Sequence, residues 1–212
     1  MAFFLSAHTP FPDARLADED GLLAIGANLA PERVKTAYTQ GIFPWFNPGD
    51  PCMWYSPPMR MVLFFDELRI SRSMRRVLKS GGFTVTLDKA FEEVMELCKS
   101  VKRKGQQGSW ITTEMQQSYT VLHREGFAKS VEVWQNGALV GGLFGMDTGR
   151  VFCGDSMFSL VPNASKVAFI SLAAVLQQKG YALLDCQIYN DHLASLGARE
   201  IPRDEFLAIL NA

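Results

Sequence analysis

Residues 41–60, GIFPWFNPGDPCMWYSPPMR, hold five of the ten prolines and two of the four tryptophans in the chain, together with Phe43, Phe46 and Tyr55. Pro44, Pro48, Pro51, Pro57 and Pro58 remove backbone donors and fix φ every few residues, so the stretch is expected to form neither helix nor strand. It must be an ordered loop or a disordered linker. The rings decide between the two: a disordered segment cannot offset its chain entropy by burial and is poor in aromatics, whereas this one has five large rings. A proline-stiffened loop that presents Trp, Phe and Tyr is a surface for flat or apolar ligands, stacked nucleotide bases among them. The alternative is that the rings plug a gap between two domains.

A length of 212 residues leaves room for one domain of ordinary size and a smaller appendage, and 48% hydrophobic with 20% charged content describes a soluble globular protein with a sizeable core. The opening MAFFLSAHTPFPD has no basic stretch and too short an apolar run for a signal peptide, and no segment reaches membrane-spanning length. Cys52, Cys98, Cys153 and Cys186 are isolated, and the histidines, His8, His123 and His192, are scattered. That pattern fits neither a disulfide framework nor a metal site, and it predicts a reducing cytoplasm and no membrane partner.

The net charge of −1 is unevenly spread. Residues 69–104 carry ten Lys/Arg against four Asp/Glu, so the rest of the chain is acidic. Such a polarised molecule can hold a polyanion on one side and a cationic partner on the other, although a pair of solvated helix faces gives the same count.

Pro31, the apolar Val34, Ala37 and Tyr38, and Gly41 as a stop mark a short helix before the aromatic loop. Little else before residue 60 is periodic. From Met61 the texture changes: MVLFF reads as a buried strand, and Ser71 caps a helix with Met74, Val77 and Leu78 on its apolar face, ended by Gly81-Gly82. The boundary falls near residue 62, giving a small N-terminal domain over 1–62 and a larger one over 63–212. A strand over Phe83–Leu87 follows, then a helix capped by Asp88 with Phe91, Val94, Met95 and Cys98 on one face. After the basic loop VKRKGQQGS and Trp110, Thr113 and Gln116 read as a capping box for a helix presenting Met115, Tyr119 and Leu122. SVEVWQ, an Asn136-Gly137 turn, ALVGGLFGM, an Asp147-Thr148-Gly149 turn and RVFCGDSMF form a meander. A long apolar helix over about 163–179, the buried strand YALLDCQ, the segment NDHLASLGARE and a last helix begun by Pro202 complete the chain. The fold class is α+β.

This second half resembles the acyltransferase fold of GCN5-related N-acetyltransferases, on its central meander, helix and strand and on NDHLASLGA, which is similar to an Asn-x-x-Ala-containing segment of that family. The resemblance implies a mainly antiparallel central sheet. Those enzymes hold the coenzyme A pyrophosphate on a glycine-containing loop that opens the long helix. Here that position reads SLVPNASKVAF, without glycine, so a coenzyme-A-dependent enzyme is disfavoured and a different acyl donor is expected.

Asp185 and Gln187 lie two apart on a strand, so their side chains are expected to share one face, with Cys186 on the other. At the C-terminal end of a buried strand they stand where such a sheet opens to ligand. A carboxylate there can orient the Gln amide, and the amide carbonyl can accept a hydrogen bond from an attacking amine. Alternatively Asp185 caps the following turn and Gln187 satisfies backbone. Asp155 can pair with a cationic substrate or cap a turn. Ser156, Ser159 and Ser165 have no His and acid at nucleophile spacing, and His192 reads as structural. Phe152, Met157, Phe169, Leu172, Leu176 and Leu184 lie on elements that meet around the same strand opening. They form core, or a cleft for an unbranched or aromatic apolar side chain.

Taken together, GLLAIGANL, AYTQGIFPWF with PGDP and MWYSP, SRSMRR, SWIT, SVEVWQNGALVGGLFG, FCGDSMFS, NASK and DCQIYNDHLASLGA resemble the leucyl/phenylalanyl-tRNA–protein transferase family over nearly the whole chain. The resemblance implies an aminoacyltransferase that needs no cofactor. Its donors are aminoacyl-tRNAs bearing Leu, Phe or Met, and its acceptors are proteins beginning with Arg or Lys, which it marks for N-end-rule degradation. It implies that Trp45 and Trp110, with Tyr38 in the adjoining motif, hold the terminal adenosine, and that the apolar cleft takes the aminoacyl side chain. Arg72, Arg75 and Arg76, with Lys102, Arg103 and Lys104, then hold the tRNA backbone. Asp185 and Gln187 match the pair that positions or activates the amine. Asp155 stands where the family usually has Glu, a carboxylate one methylene shorter in reach, facing the acceptor. The alternatives are a coenzyme-A-dependent N-acetyltransferase and a non-catalytic RNA-binding module.

Overall fold

The computed structural model describes residues 2–101 and 109–212. Two sheets organise it. The smaller has strand order β1-β2-β4-β3, from Phe3–Leu5 (β1), Leu22–Gly26 (β2), Phe43–Pro44 (β3) and Met53–Tyr55 (β4), with helix α1 over Pro31–Thr39 between β2 and β3. Residues 41–60 therefore do contain strand, against the expectation from their prolines. The reason is position: β3 lies at the sheet edge with β4 as its one neighbour, so Pro44 gives up no ladder bond. The strands before residue 60 run two to five residues, too short for an alternation to show. α1 begins on Pro31 and buries Val34, Ala37 and Tyr38 as expected. Gly41 follows with φ of +76°, a conformation that favours glycine, and a Cβ there would meet Leu207 Cδ2 at 2.5 Å.

The larger sheet has the order β11-β5-β10-β9-β8-β7-β6. Its strands are Met59–Leu63 (β5), Thr84–Leu87 (β6), Ala128–Gln135 (β7), Ala138–Asp147 (β8), Val151–Ser159 (β9), Leu183–Gln187 (β10) and Arg199–Pro202 (β11). The helices between them are Arg72–Lys79 (α2), Phe91–Ser100 (α3), Thr113–Arg124 (α4), Ala164–Gln178 (α5), Asp191–Ala194 (α6) and Arg203–Leu210 (α7). Every pairing is antiparallel except that of β9 with β10. The α+β class and the mainly antiparallel sheet are as the sequence predicts. β11, inside NDHLASLGARE and the residues after it, was not anticipated, because its four residues have one buried position, Ile201.

Alternate residues of the central strands feed two apolar layers. Leu143, Phe152 and Leu184 join α5 on one side, while Phe144, Cys153 and Leu183 join α1, α3, α4 and α7 on the other. The β7–β8 turn has positive φ at both Asn136 and Gly137, the backbone that a two-residue hairpin twist requires.

Three local expectations are corrected. Leu78 is an exposed apolar residue, and Met74 alone of the α2 face is buried. Asp88 does not cap α3; its Oδ1 accepts from the Ser130 amide at 2.8 Å, and the fully buried Glu132 carboxylate instead accepts from the Lys89 and Ala90 amides at that helix start. Thr112, not Thr113, caps α4, accepting from Met115 N at 3.1 Å, and Gln116 is drawn away to Lys99 and Glu96.

Candidate active site

β9 and β10 pair in parallel through Leu183↔Val151, Leu184↔Phe152 and Asp185↔Cys153, and then part. β9 runs on to Ser159 while β10 ends at Gln187, and the opening is a cavity of about 630 Å³, within the usual range for small-ligand sites. Phe43 of β3 and Trp45 just after it, Trp110 from the segment before α4, Leu143, Met157 and Phe158 from the meander, and Phe169 and Leu172 from α5 wall it, with Asp155, Asp185 and Gln187 at its polar end.

That polar end is built differently from the alternation rule. The register slips between Asp185 and Gln187, and Gln187 has φ of +65°. A β-bulge of this kind re-aims a side chain. The Asp185 carboxylate is fully buried and forked by Arg60, with Nε to Oδ1 at 2.8 Å and Nη2 to Oδ2 at 2.7 Å. It reaches Gln187 through the main chain, Oδ1 accepting from Gln187 N at 2.8 Å. The expectation that Asp185 orients the Gln187 amide is corrected: Gln187 Nε2 donates to Asp155 Oδ1 at 2.7 Å, so Asp155 sets the amide. Asp185 anchors the bulge that lets it do so.

Asp155 Oδ1 also accepts from the Tyr38 hydroxyl at 2.7 Å, and Tyr38 in turn meets the Tyr119 hydroxyl at 3.0 Å. Burial holds both tyrosines well above their ordinary pKa, so they stay protonated. Asp155 Oδ2 is buried and has no hydrogen-bond partner among the described residues. Burial pushes the Asp155 carboxyl up to about 7, against the lowering effect of its bonds from Tyr38 and Gln187.

Arg60 was not anticipated. Its guanidinium also donates to Gly41 O at 3.3 Å and lies 4.7 Å from the Phe43 ring and 4.5 Å from that of Phe206. Burial disfavours its charge, but Asp185 outweighs that and leaves its pKa raised. A signal existed: an arginine between Met59 and Met61 at the head of an apolar strand needs a buried carboxylate.

The predicted rings separate. Trp45 is 40% exposed on the cavity wall, edge-on to Tyr55 at 5.6 Å, and Trp110 is half-buried on the same wall. Tyr38 is 1% exposed, so its ring is not available for stacking and it touches the site only through Asp155. Of the predicted apolar cleft, Met157, Phe169, Leu172 and Leu184 line the cavity, while Phe152 and Leu176 are packed into the core under α5. Phe152 stands opposite Leu184, where the two strands are still paired, and Leu176 lies one turn beyond Leu172. Phe43, Leu143 and Phe158 are lining residues the sequence did not single out.

His192 also lines the cavity, with its Nε2 buried and unpartnered among the described residues and its pKa lowered by burial and Lys166. Arg72, Arg75 and Arg76 are exposed on α2, without ion pairs among the described residues. Lys102, Arg103 and Lys104 lie outside the described residues. No group of three or more His, Cys, Asp or Glu among the described residues can hold a metal ion, and none of their helices is long and apolar enough to cross a membrane.

Among solved structures, FemX is similar to 79% of this chain over 65% of its own, with a TM-score of 0.52 and 12% sequence identity, a likeness of fold. Two family models match the sequence: leucyl/phenylalanyl-tRNA protein transferase over residues 62–211, and the N-terminal domain of the same enzyme over residues 27–58. The leucyl/phenylalanyl-tRNA–protein transferase of Flavobacterium johnsoniae is 58% identical over 99% of both chains. That of Flavobacterium psychrophilum is 60% identical over 98% of both. With matches of this length and identity, the chain belongs to the leucyl/phenylalanyl-tRNA–protein transferase family and is an aminoacyltransferase.

Proposed function

We propose that this aminoacyltransferase moves Leu, Phe or Met from an aminoacyl-tRNA to the α-amino group of proteins beginning with Arg or Lys, in the cytoplasm, and so marks them for degradation. The observation that carries the reading is the cavity itself, apolar along one side, walled by Trp45 and Trp110, and closed by the Asp155–Gln187 pair. The two tryptophans stack on the terminal adenosine. Stacking needs only a π-face and suits an enzyme that reads the 3′ end common to all tRNAs. Met157, Phe169, Leu172 and Leu184 receive the aminoacyl side chain, and Arg72, Arg75 and Arg76 with Lys102, Arg103 and Lys104 meet the phosphates. We divide the chain near residue 62, with the small N-terminal domain contributing Trp45.

The aminoacyl ester is already activated, so alignment of amine and carbonyl supplies much of the rate, up to roughly 7–11 kcal/mol for ideal geometry. Gln187 is the positioner. Its amide nitrogen is spent on Asp155, which leaves its carbonyl to accept from the attacking amine. Asp185, held by Arg60, keeps the Gln187 backbone where that is possible.

A coenzyme A donor is disfavoured because the first amides of α5 are already engaged, Ser165 N donating to Ser159 Oγ at 3.2 Å and Ala164 N to Val161 O at 3.3 Å. A purely RNA-binding module has no need of a polar pair converging beside an apolar cavity. The test is incubation with Leu- or Phe-charged tRNA and a peptide beginning with Arg. The peptide is expected to gain one residue, and transfer that survives Asp185→Ala combined with Gln187→Ala would sink the mechanism.

A further inference from the structure

Making the amide bond requires the acceptor to shed protons. The incoming α-ammonium must lose one before nitrogen has a lone pair, and a second leaves as the ester oxygen departs. Gln187 is a neutral amide, a poor base, and Asp185 is saturated: Arg60 takes both of its oxygens and Gln187 N takes Oδ1 again. Neither can accept the first proton. Asp155 differs in one atom. Tyr38 and Gln187 both donate to Oδ1, while Oδ2 accepts from nothing among the described residues, and the residue lines the cavity.

We infer that Asp155 Oδ2 is the base that takes the proton from the incoming α-ammonium, with Gln187 steering the same nitrogen and Tyr38 holding the carboxylate. This rests on the aminoacyl-transfer reading above and assigns its proton. In the step, an N–H bond of the ammonium breaks and an O–H bond forms on Asp155. The freed lone pair then attacks the ester carbonyl. As the tetrahedral intermediate collapses, the C–O bond to the tRNA ribose breaks, a second proton passes from nitrogen to that departing oxygen, and Asp155 returns the first proton to solvent.

The charged and titratable groups acting on Asp155 are Tyr38 from α1, Tyr119 from α4, Cys153 from β9, Asp185 from β10 and Arg60 from β5. The tyrosines and Cys153 are raised well above their ordinary values by burial, and Arg60 and Asp185 are tied to each other. Asp155, at about 7, is placed to change charge near neutrality, which is what a general base working there needs.

The experiment is single-turnover transfer from Phe-charged tRNA to a peptide beginning with Arg, followed from about pH 6 to about pH 9. The wild-type rate is expected to rise as Asp155 ionises, through about 7. Asp155→Asn is expected to be slower at neutrality by about 10²–10⁴-fold. It should recover toward the wild-type rate as pH passes the range of free α-amino groups, about 7.7–8.0, since the peptide then arrives deprotonated. A loss of equal size at every pH is what a merely structural carboxylate gives and would overturn the assignment. Tyr38→Phe gives a reading that does not depend on the folding of Asp155→Asn. Removing a donor to Oδ1 loosens the hold on the anion, so the midpoint of the wild-type curve should move upward, and an unmoved midpoint also overturns the assignment. Absence of transfer by the wild-type protein would remove the acceptor reading itself, and this one with it, a failure distinct from a flat pH comparison.

Discussion

Replacing Arg60 by methionine strips the buried Asp185 carboxylate of its counter-ion while leaving a flexible apolar side chain between Phe43 and Phe206. In the wild type two charge-assisted bonds of 2.8 and 2.7 Å hold that carboxylate, whose exposure is 0%. After the change it keeps the Gln187 main-chain amide and the Cys153 thiol, neither of them charged. Breaking a buried pair by removing one partner costs about 3–5 kcal/mol. At about 2–4 °C per kcal/mol for a chain of this size, the melting temperature should fall by about 6–20 °C. Arg60→Met combined with Asp185→Leu removes the stranded charge and should recover part of the loss. A deficit of about 1–3 kcal/mol should persist, because the buried Gln187 N–H loses its acceptor. The double variant should therefore fold yet transfer poorly, since nothing pins the bulge that aims Gln187. Thermal and urea unfolding of the wild type, both single variants and the double variant close the cycle. If Arg60→Met melts within 2 °C or so of the wild type, or the double variant is less stable than either single one, the ion pair does not hold the site and the reasoning fails.

Asp155 gives a stability test with a definite sign. Its carboxyl is raised from 3.8 to about 7 in the folded protein, so folding is undisturbed below the ordinary range and loses stability as pH rises toward about 7. At about 1.4 kcal/mol per pKa unit the loss is roughly 4 kcal/mol. About 2–3 kcal/mol of that loss falls between pH 5 and pH 8, and urea unfolding near those two values should show it for the wild type and not for Asp155→Asn. Trp45→Ala and Trp110→Ala should each weaken use of charged tRNA by about 1–3 kcal/mol in kcat/KM. For the exposed Trp45 the melting temperature should hardly move, and a matching loss of stability would make it a packing residue. Phe169→Leu should shift the preference between Leu- and Phe-charged tRNA, because Phe169 lines the cavity. Phe152→Leu should lower stability by about 1 kcal/mol or more and leave the preference alone, because it does not. Competition between the two charged tRNAs checks both.

Much of the architecture lies in local chemistry that the chain displays openly. Ser71 accepts from the amide of Met74 as a helix cap, Asn136-Gly137 turns the hairpin, and Pro31 and Gly41 bracket α1, because each acts on neighbours within a few residues. The apolar walls of the cavity were half legible for the same reason. Met157, Phe169, Leu172 and Leu184 follow from the period of their elements, but that Leu184 lines the cavity while Phe152, paired opposite it, stays in the core is decided by tertiary packing. Where long-range partners compete with a local motif, the motif fails: Asp88 and Gln116 sit at helix starts but bond elsewhere.

By itself the sequence pointed to the α+β fold class, to the order of the main elements from Met61 onward apart from β11, and to Asp155, Asp185, Gln187, Trp45 and Trp110 as candidate site residues. Only the tertiary structure decided what each of them bonds to and how far each is buried. Asp185 is 125 residues from Arg60 and Asp155 is 117 from Tyr38, separations over which no periodicity or motif carries information. The bulge at Gln187 reverses the side-chain alternation that made Asp185 look like its orienting partner. Charge in a buried site is settled by whichever donors the fold brings to each oxygen. That is why one carboxylate is locked as an anchor and the other keeps an oxygen that no donor among the described residues meets.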